Sequence, residues 1–165
     1  MNPPLDPSEV IKTARAGWVL VTAQMVLAAA LVLSSRWSPP DAWMLILMVP
    51  GIVVAITAWL AIGLRRLRIH PTPGQQTVLT MAGPYRWVRH PMYAGLLLFT
   101  LAQLPFDWQP WRFVSWVCLL GVLWSKSSIE ENALMQRFET YRDYRSRTGR
   151  FLPRIIPATG SAFRR

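Results

Sequence analysis

Two clusters in this sequence carry side chains that could act together on a charged ligand. Between Gly83 and Gly95, the run GPYRWVRHPMYAG sets Arg86, Arg89 and His90 among Tyr85, Trp87 and Tyr93. Further on, Lys126 is followed one helical turn later by Glu130 and Glu131. Guanidinium groups bind carboxylate or phosphate. Carboxylates accept from ammonium or hydroxyl groups, and aromatic faces receive cations. Gly83-Pro84 is a turn signal, and Pro91 suits the first position of a new helix, where its missing N–H costs nothing. That placement puts Arg89 and His90 at a helix N-terminus, beside unpaired backbone donors that favour an anion. The plainer reading of the same stretch is a basic loop that holds the next helix at a lipid surface.

Glu130, Leu134, Phe138 and Tyr141 recur at helical spacing, as do Glu131, Leu134 and Phe138. The two glutamates therefore flank an apolar stripe. Lys126 is placed to pair with Glu130 along one helix face. Residue type alone leaves two roles open for the acidic pair: ligand contact, or a structural ion pair with an arginine of the central stretch.

The elements that must position these clusters are membrane helices. Of 165 residues 52% are hydrophobic and nine are tryptophan, which is too apolar for an ordinary soluble domain and suits interfacial anchoring. The first apolar run, 17–33, approaches spanning length. It is too long for the core of a signal peptide and lacks a small-residue cleavage site, so a retained first helix is expected after a polar lead-in at 1–15. The second run, 42–64, carries Pro50-Gly51, expected to kink rather than end it, and stops at the basic residues 65–68. Residues 69–80 read as a loop. Two short runs, 92–106 and 113–124, suit a helical hairpin, its second leg continuing through 126–144 below the membrane surface. Cys118, the one cysteine, lies in an apolar run, so neither an intrachain disulfide nor a cysteine zinc site is expected.

Charge sets the expected topology. With the N-terminus inside, sixteen of the eighteen Lys and Arg residues fall on the cytoplasmic side and only Arg36 and Arg112 outside. The positive-inside rule then selects four crossings with both termini cytoplasmic. The net charge of +10 is thereby assigned to anionic lipid head groups rather than to nucleic acid.

Gly83-x-Tyr85-x-x-x-Arg89-His90-Pro91-x-Tyr93-x-Gly95, then Glu130-Glu131-x-x-Leu134, Phe138, Tyr141, Tyr144 and Pro153, resembles the integral-membrane methyltransferases. These are the isoprenylcysteine carboxyl methyltransferase family and its phospholipid methyltransferase relatives. The resemblance covers roughly 65–157. It implies an all-α membrane enzyme of about four transmembrane helices that moves a methyl group from S-adenosylmethionine to a lipophilic acceptor at the cytoplasmic face. It also implies cofactor contacts from Tyr85, Arg89, His90, Pro91, Tyr93, Gly95, Glu130 and Glu131, with Arg89 and Lys126 as catalytic candidates, and no metal. The chain reads as one domain, 1–165: two N-terminal helices to residue 64, a catalytic core at 65–157 and a tail at 158–165. Two departures stand out. The glycine common after the paired acids is missing from Phe138-Glu139-Thr140-Tyr141, and Lys126 stands where prenylcysteine enzymes carry an arginine. Sterol-type membrane reductases share an Arg-His-Pro-x-Tyr-like motif and would use NADPH, and a non-catalytic lipid-binding module is the third reading. No G-x-G-x-x-G loop of soluble type is present.

Overall fold

The computed structural model describes residues 7–35, 42–63, 79–105 and 108–154, with side chains from residue 15 onward except at 43. The loop expected at 36–41, the basic stop at 65–68, most of the loop at 69–80 and the tail at 158–165 lie outside the described residues. Among the described residues five α-helices follow in order: α1 Pro7–Leu33, α2 Ala42–Ile62, α3 Pro91–Leu101, α4 Pro110–Arg137 and α5 Tyr141–Arg147. A short 3-10 turn, Gly83–Arg86, precedes α3. Among the described residues there is no strand, only an isolated parallel bridge between Val88 and Gly149.

Two helices are long and apolar enough to cross a bilayer, over Arg15–Leu33 and Met44–Ile62. Their outer faces leave Trp18, Val26, Ile46, Val53 and Leu60 exposed. So much exposed apolar surface needs lipid to cover it, and the molecule is a membrane protein. Helix α1 starts earlier than the apolar run, at Pro7, so much of the expected lead-in is a continuous extension of the helix. Helix α2 runs through Pro50 unbroken. It ends earlier than the run to 64 suggested, at Gly63, whose φ of 88° permits the left-handed turn that closes a helix. The Gly63 N–H donates back to Trp59 and Leu60 carbonyls.

The helices do not pair as a simple hairpin. Helix α3 lies along α2, and α4 lies along α1. Backbone contact makes the first pairing possible. A Cβ on Gly95 would stand 2.6 Å from the Gly51 carbonyl oxygen and 2.9 Å from Ala55 Cβ. Small residues at a membrane helix crossing allow that approach. Between the pairs, Leu31, Leu97, Leu104, Leu119 and Leu123 form the buried cluster, with Tyr93, Trp116 and Phe151 against it. Trp116 Nε1 also donates to the Leu97 carbonyl at 3.1 Å.

Helix α4 departs from expectation at both ends. Arg112, counted as an outside charge in the turn of the hairpin, is fully buried. It donates to Ser34 Oγ at 2.8 Å and to the Leu31 carbonyl at 3.3 Å, tying the start of α4 to the end of α1. A cation there also suits the negative end of the α1 dipole. At the other end the helix stops at Phe138, which is extended (φ −123°, ψ 112°). The expected helical stripe is therefore broken, and Tyr141 and Tyr144 belong to a separate helix that turns back. Burial of both tyrosines in α5 outweighs continuation of the stripe. The eighteen residue steps from Arg112 to Glu130 make α4 rise about 27 Å between these two polar layers, close to a hydrocarbon thickness.

Candidate functional site

The central stretch is shaped by backbone before any side chain acts. Gly83 takes φ 58° to open the turn. The chain then runs alongside residues 148–151 of the C-terminal segment. Arg89 N–H donates to the Gly149 carbonyl at 2.8 Å, Gly149 N–H to the Trp87 carbonyl at 3.1 Å, and His90 N–H to the Arg150 carbonyl at 3.1 Å. A side chain at Gly149 would collide with the Leu152 carbonyl, so the turn after the bridge requires glycine. Tyr144 adds a hydroxyl bond to the Tyr85 carbonyl at 2.7 Å. The segment after α5 thus straps the loop before α3 to the C-terminal end of α4.

Glu131 sits under this strap, its side chain 1% exposed. Its Oε1 accepts from Arg89 Nε at 2.8 Å and lies 3.2 Å from His90 Nε2. Its Oε2 is 3.3 Å from both Arg145 Nε and an Arg150 terminal nitrogen. Burial alone would raise the Glu131 carboxyl, but the hydrogen bonds from His90 and Arg89 and their charges lower it to about 2. The carboxylate is therefore ionised throughout the physiological range. The Arg89 side chain is nearly as enclosed, at 9% exposed. One of its terminal nitrogens donates to the carbonyls of Arg145 and Thr148.

His90 bridges the two acids. Nδ1 lies 3.3 Å from Glu130 Oε2 while Nε2 faces Glu131. Burial disfavours the imidazolium, yet hydrogen bonds to Glu130 and Glu131 outweigh that and raise the His90 pKa. With an acceptor at each nitrogen, the doubly protonated ring is the form that satisfies both. Glu130 is the more open acid, 21% exposed at its side chain. Tyr93 donates its hydroxyl to Glu130 Oε1 at 2.6 Å. Tyr85 faces the same carboxylate; burial first, then the charges of Tyr144 and Glu130, hold its phenol neutral well above the usual range.

Aromatic rings gather on the two partners of this acid, His90 and Tyr93. His90 and Tyr93 stack with an interplanar angle of 3°, and Phe151 meets both edge-on, at 6.2 and 6.4 Å. Trp124 meets Phe151 at 6.0 Å and carries the Arg150 guanidinium 4.2 Å above its ring. An acid with spare acceptor capacity beside clustered rings suits a ligand that joins a cationic or hydroxylated part to a flat one.

The structure brings together Tyr85, Arg89, His90, Tyr93, Glu130 and Glu131. Pro91 begins α3 as its first residue and is buried. Three expected features are placed differently. The backbone donors of Arg89 and His90 are taken by the strap, and the Arg89 side chain is closed in by Glu131 and carbonyls, so neither stands open to an anion. Gly95 packs its backbone against Gly51 and Ala55 of α2. Lys126 does not pair with Glu130: its ammonium donates to Gln24 Oε1 on α1 at 2.9 Å and lies 5.2 Å from the Tyr93 ring centroid. Sequence reasoning missed Arg145, Thr148, Gly149, Arg150, Phe151 and Gln24. The one local signal was Gly149 between Thr148 and Arg150, a turn residue inside a basic run. Among the described residues, no group of three His, Cys, Asp or Glu side chains is placed to hold a metal.

Residues 40–141 match the family model described as phospholipid methyltransferase. An uncharacterized protein of Schizosaccharomyces pombe, C594.04c, is 29% identical over 79 residues, which cover 44% of this chain and 23% of that relative. The chain therefore spans under a quarter of the length of the curated relative it matches. No solved structure matches it.

Proposed function

Because the chain belongs to the phospholipid methyltransferase family, we propose that it transfers a methyl group from S-adenosylmethionine to a lipophilic acceptor at the cytoplasmic membrane face. The observation that carries this is Glu130: a partly open carboxylate bonded to Tyr93 and His90, whose stacked rings carry Phe151 at their edges. The residues fit the cofactor. Glu130 would take its ammonium or ribose hydroxyls, Arg150 its carboxylate, and the rings its adenine or sulfonium. When bound, S-adenosylmethionine would supply an electrophilic methyl group for displacement by an acceptor lone pair, the carbon–sulfur bonding pair staying on sulfur.

The residues of this chain contribute alignment and a dry enclosure. In-line displacement depends on reactants held in register, which can supply several kcal/mol of barrier reduction. Glu131 locks Arg89, His90, Arg145 and Arg150, and thereby the loop before α3 and the strap, into one rigid frame. His90, held by that frame, fixes the rotamer of Glu130. Tyr93 fixes it from the other side. Arg89, His90 and Glu131 are thus positioning residues around the contacts made by Glu130, Arg150, Tyr85 and Tyr93. Pro91 and Gly95 set the start and depth of α3. Lys126 lies on the α1 side of Tyr93, where the acceptor would arrive.

The four-crossing topology with cytoplasmic termini belongs to the same reading. It is supported by the charge split and by the rise of α4 between its buried arginine and its acid pair. Cysteine labelling at Ser38, Gln75 and Ser161 in a Cys118→Ser background should mark Ser38 alone from outside. External labelling at Gln75 or Ser161 would sink the topology. The activity is tested by incubating purified protein with a lipid extract and methyl-labelled cofactor, followed by mass spectrometry. Label should appear in an amphiphilic product; label only in polar small molecules, or none, contradicts the reading. NADPH binding in place of S-adenosylhomocysteine binding would favour the reductase.

A further inference from the structure

Where α4 ends and α5 turns back, Met135, Arg142, Arg145, Ser146 and Arg154 line an open groove of about 420 Å³. Three of these five residues are arginines and none is an acid. Asp143, the acid in the first turn of α5, is not part of the lining. The guanidiniums have few acceptors there. Arg154 donates from one terminal nitrogen to the Ser146 carbonyl at 2.6 Å. Arg145 sets its Nε 3.3 Å from Glu131 Oε2 and a terminal nitrogen 3.1 Å from the Met135 sulfur, a weak acceptor. Among the described residues neither Arg142 nor Arg154 pairs with an acid. Guanidinium forks match phosphate oxygens two at a time, so arginines converging on an acid-free groove fit such an anion. Depth narrows the source. Met135 lies five residue steps beyond Glu130, about 7.5 Å further along α4. With Arg112 and Glu130 at the two edges of the hydrocarbon, the groove falls in the head-group layer, which extends a similar distance.

We propose that this groove binds the phosphate of an anionic membrane lipid, and that the bound lipid holds the strap in place. Its walls come from three segments: Met135 from α4, Arg142, Arg145 and Ser146 from α5, and Arg154 from beyond the strap. They meet only when α5 and the strap are docked. A ligand that binds only the assembled form stabilises it by mass action. Arg145 joins the groove to the acid frame, because the same guanidinium faces Glu131. A zwitterionic head group would bring its own cation against three arginines, so an anionic lipid is the better occupant. The depth of the groove rests on the four-crossing reading; the phosphate site rests on the groove itself and needs no methyl transfer.

Full-length protein in a non-ionic detergent is titrated with dihexanoyl phosphatidic acid, dihexanoyl phosphatidylcholine and glycerol phosphate, each lipid below its micelle concentration. Binding is read by calorimetry with detergent-only titrations subtracted. The parent should bind the phosphatidic acid about tenfold or more tighter than the phosphatidylcholine. The double variant Arg142→Gln, Arg154→Gln should lose about tenfold or more of that affinity, as removal of charge-assisted bonds implies. Arg86→Gln with Arg147→Gln removes the same charge from exposed arginines that do not line the groove, and should stay within about twofold of the parent. Amide exchange at residues 89 and 90 should slow on saturation with the phosphatidic acid in the parent but not in the groove variant. If the groove variant does not fold, Arg142→Gln alone decides, with a loss of about threefold or more expected. Equal losses in the two double variants would mean diffuse attraction and overturn the groove, as would equal affinity of the parent for the two lipids. Glycerol phosphate binding as tightly as the phosphatidic acid would make it a site for soluble phosphate and overturn the lipid. Unchanged exchange in the parent would overturn the hold on the strap. External labelling at Gln75 or Ser161 would instead count against the topology and leave these comparisons decisive for the groove.

Discussion

Glu131→Gln keeps the shape of the side chain and removes one charge from the most enclosed acid among the described residues. Four cationic side chains converge on that carboxylate, and Arg89, 9% exposed at its side chain, has no other acid to turn to among the described residues. The drop of the carboxyl from 4.5 to about 2 corresponds to at most about 3 kcal/mol of stabilisation. Breaking a buried pair from one side costs a similar amount, about 3 to 5 kcal/mol, because the remaining charge is left buried. Glu130→Gln is a different perturbation. Glu130 is partly solvated, the amide oxygen still accepts from Tyr93, and the expected loss of stability is about 1 kcal/mol. Denaturant titration of purified protein in detergent, followed by tryptophan fluorescence, measures both. The reasoning predicts a lowered midpoint for Glu131→Gln and a near-parental midpoint for Glu130→Gln. Equal midpoints for the two variants, or Glu130→Gln as the more damaging change, would refute it.

The strap should fail at its glycine. Gly149→Ala forces the backbone off the Leu152 carbonyl, and the resulting loss of the Arg89 and His90 backbone bonds should raise amide exchange at residues 88–90 while α1 and α2 stay protected; unchanged exchange at these amides counts against the strap. Stability should also vary with pH on two sides. The lowered Glu131 pKa contributes stability fully above about 4.5, lost as pH falls through about 2. The raised His90 pKa contributes fully below 6.5, lost as pH rises through its higher folded value. The denaturation midpoint should therefore be highest and flat between about pH 4.5 and 6.5, and His90→Gln should flatten the alkaline side. A parental alkaline slope retained in His90→Gln would show that another group titrates.

What the sequence made legible was local. Apolar runs long enough to span and Pro91 as a helix start follow from composition and helical spacing. So does the presence of Glu130 and Glu131 on one helix. Periodicity could not show that the acids and Arg89 meet, because the contact joins residues 42 apart. The strap was hidden for the same reason. Its bonds are backbone to backbone, between residues about 60 apart, and leave no side-chain pattern. Arg112 looked like a loop charge because sequence does not reveal the carbonyl and hydroxyl groups at the end of α1 that receive it. The break at Phe138 has no Gly or Pro to announce it and arises from the docking of Tyr141 and Tyr144. Lys126 was assigned to the nearest acid by spacing, while the fold turned it toward an amide on α1, 102 residues away.

The central claim is that Glu130 contacts a methyl-donor cofactor inside a frame held by Glu131. Calorimetric titration of S-adenosylhomocysteine into the parent and into Glu130→Gln tests it most directly. The account predicts saturable binding to the parent and a loss of about tenfold or more in Glu130→Gln, the equivalent of a charge-assisted hydrogen bond of about 1.5 to 3 kcal/mol, with the denaturation midpoint retained. Parental affinity in folded Glu130→Gln, or no binding to the parent, would contradict it.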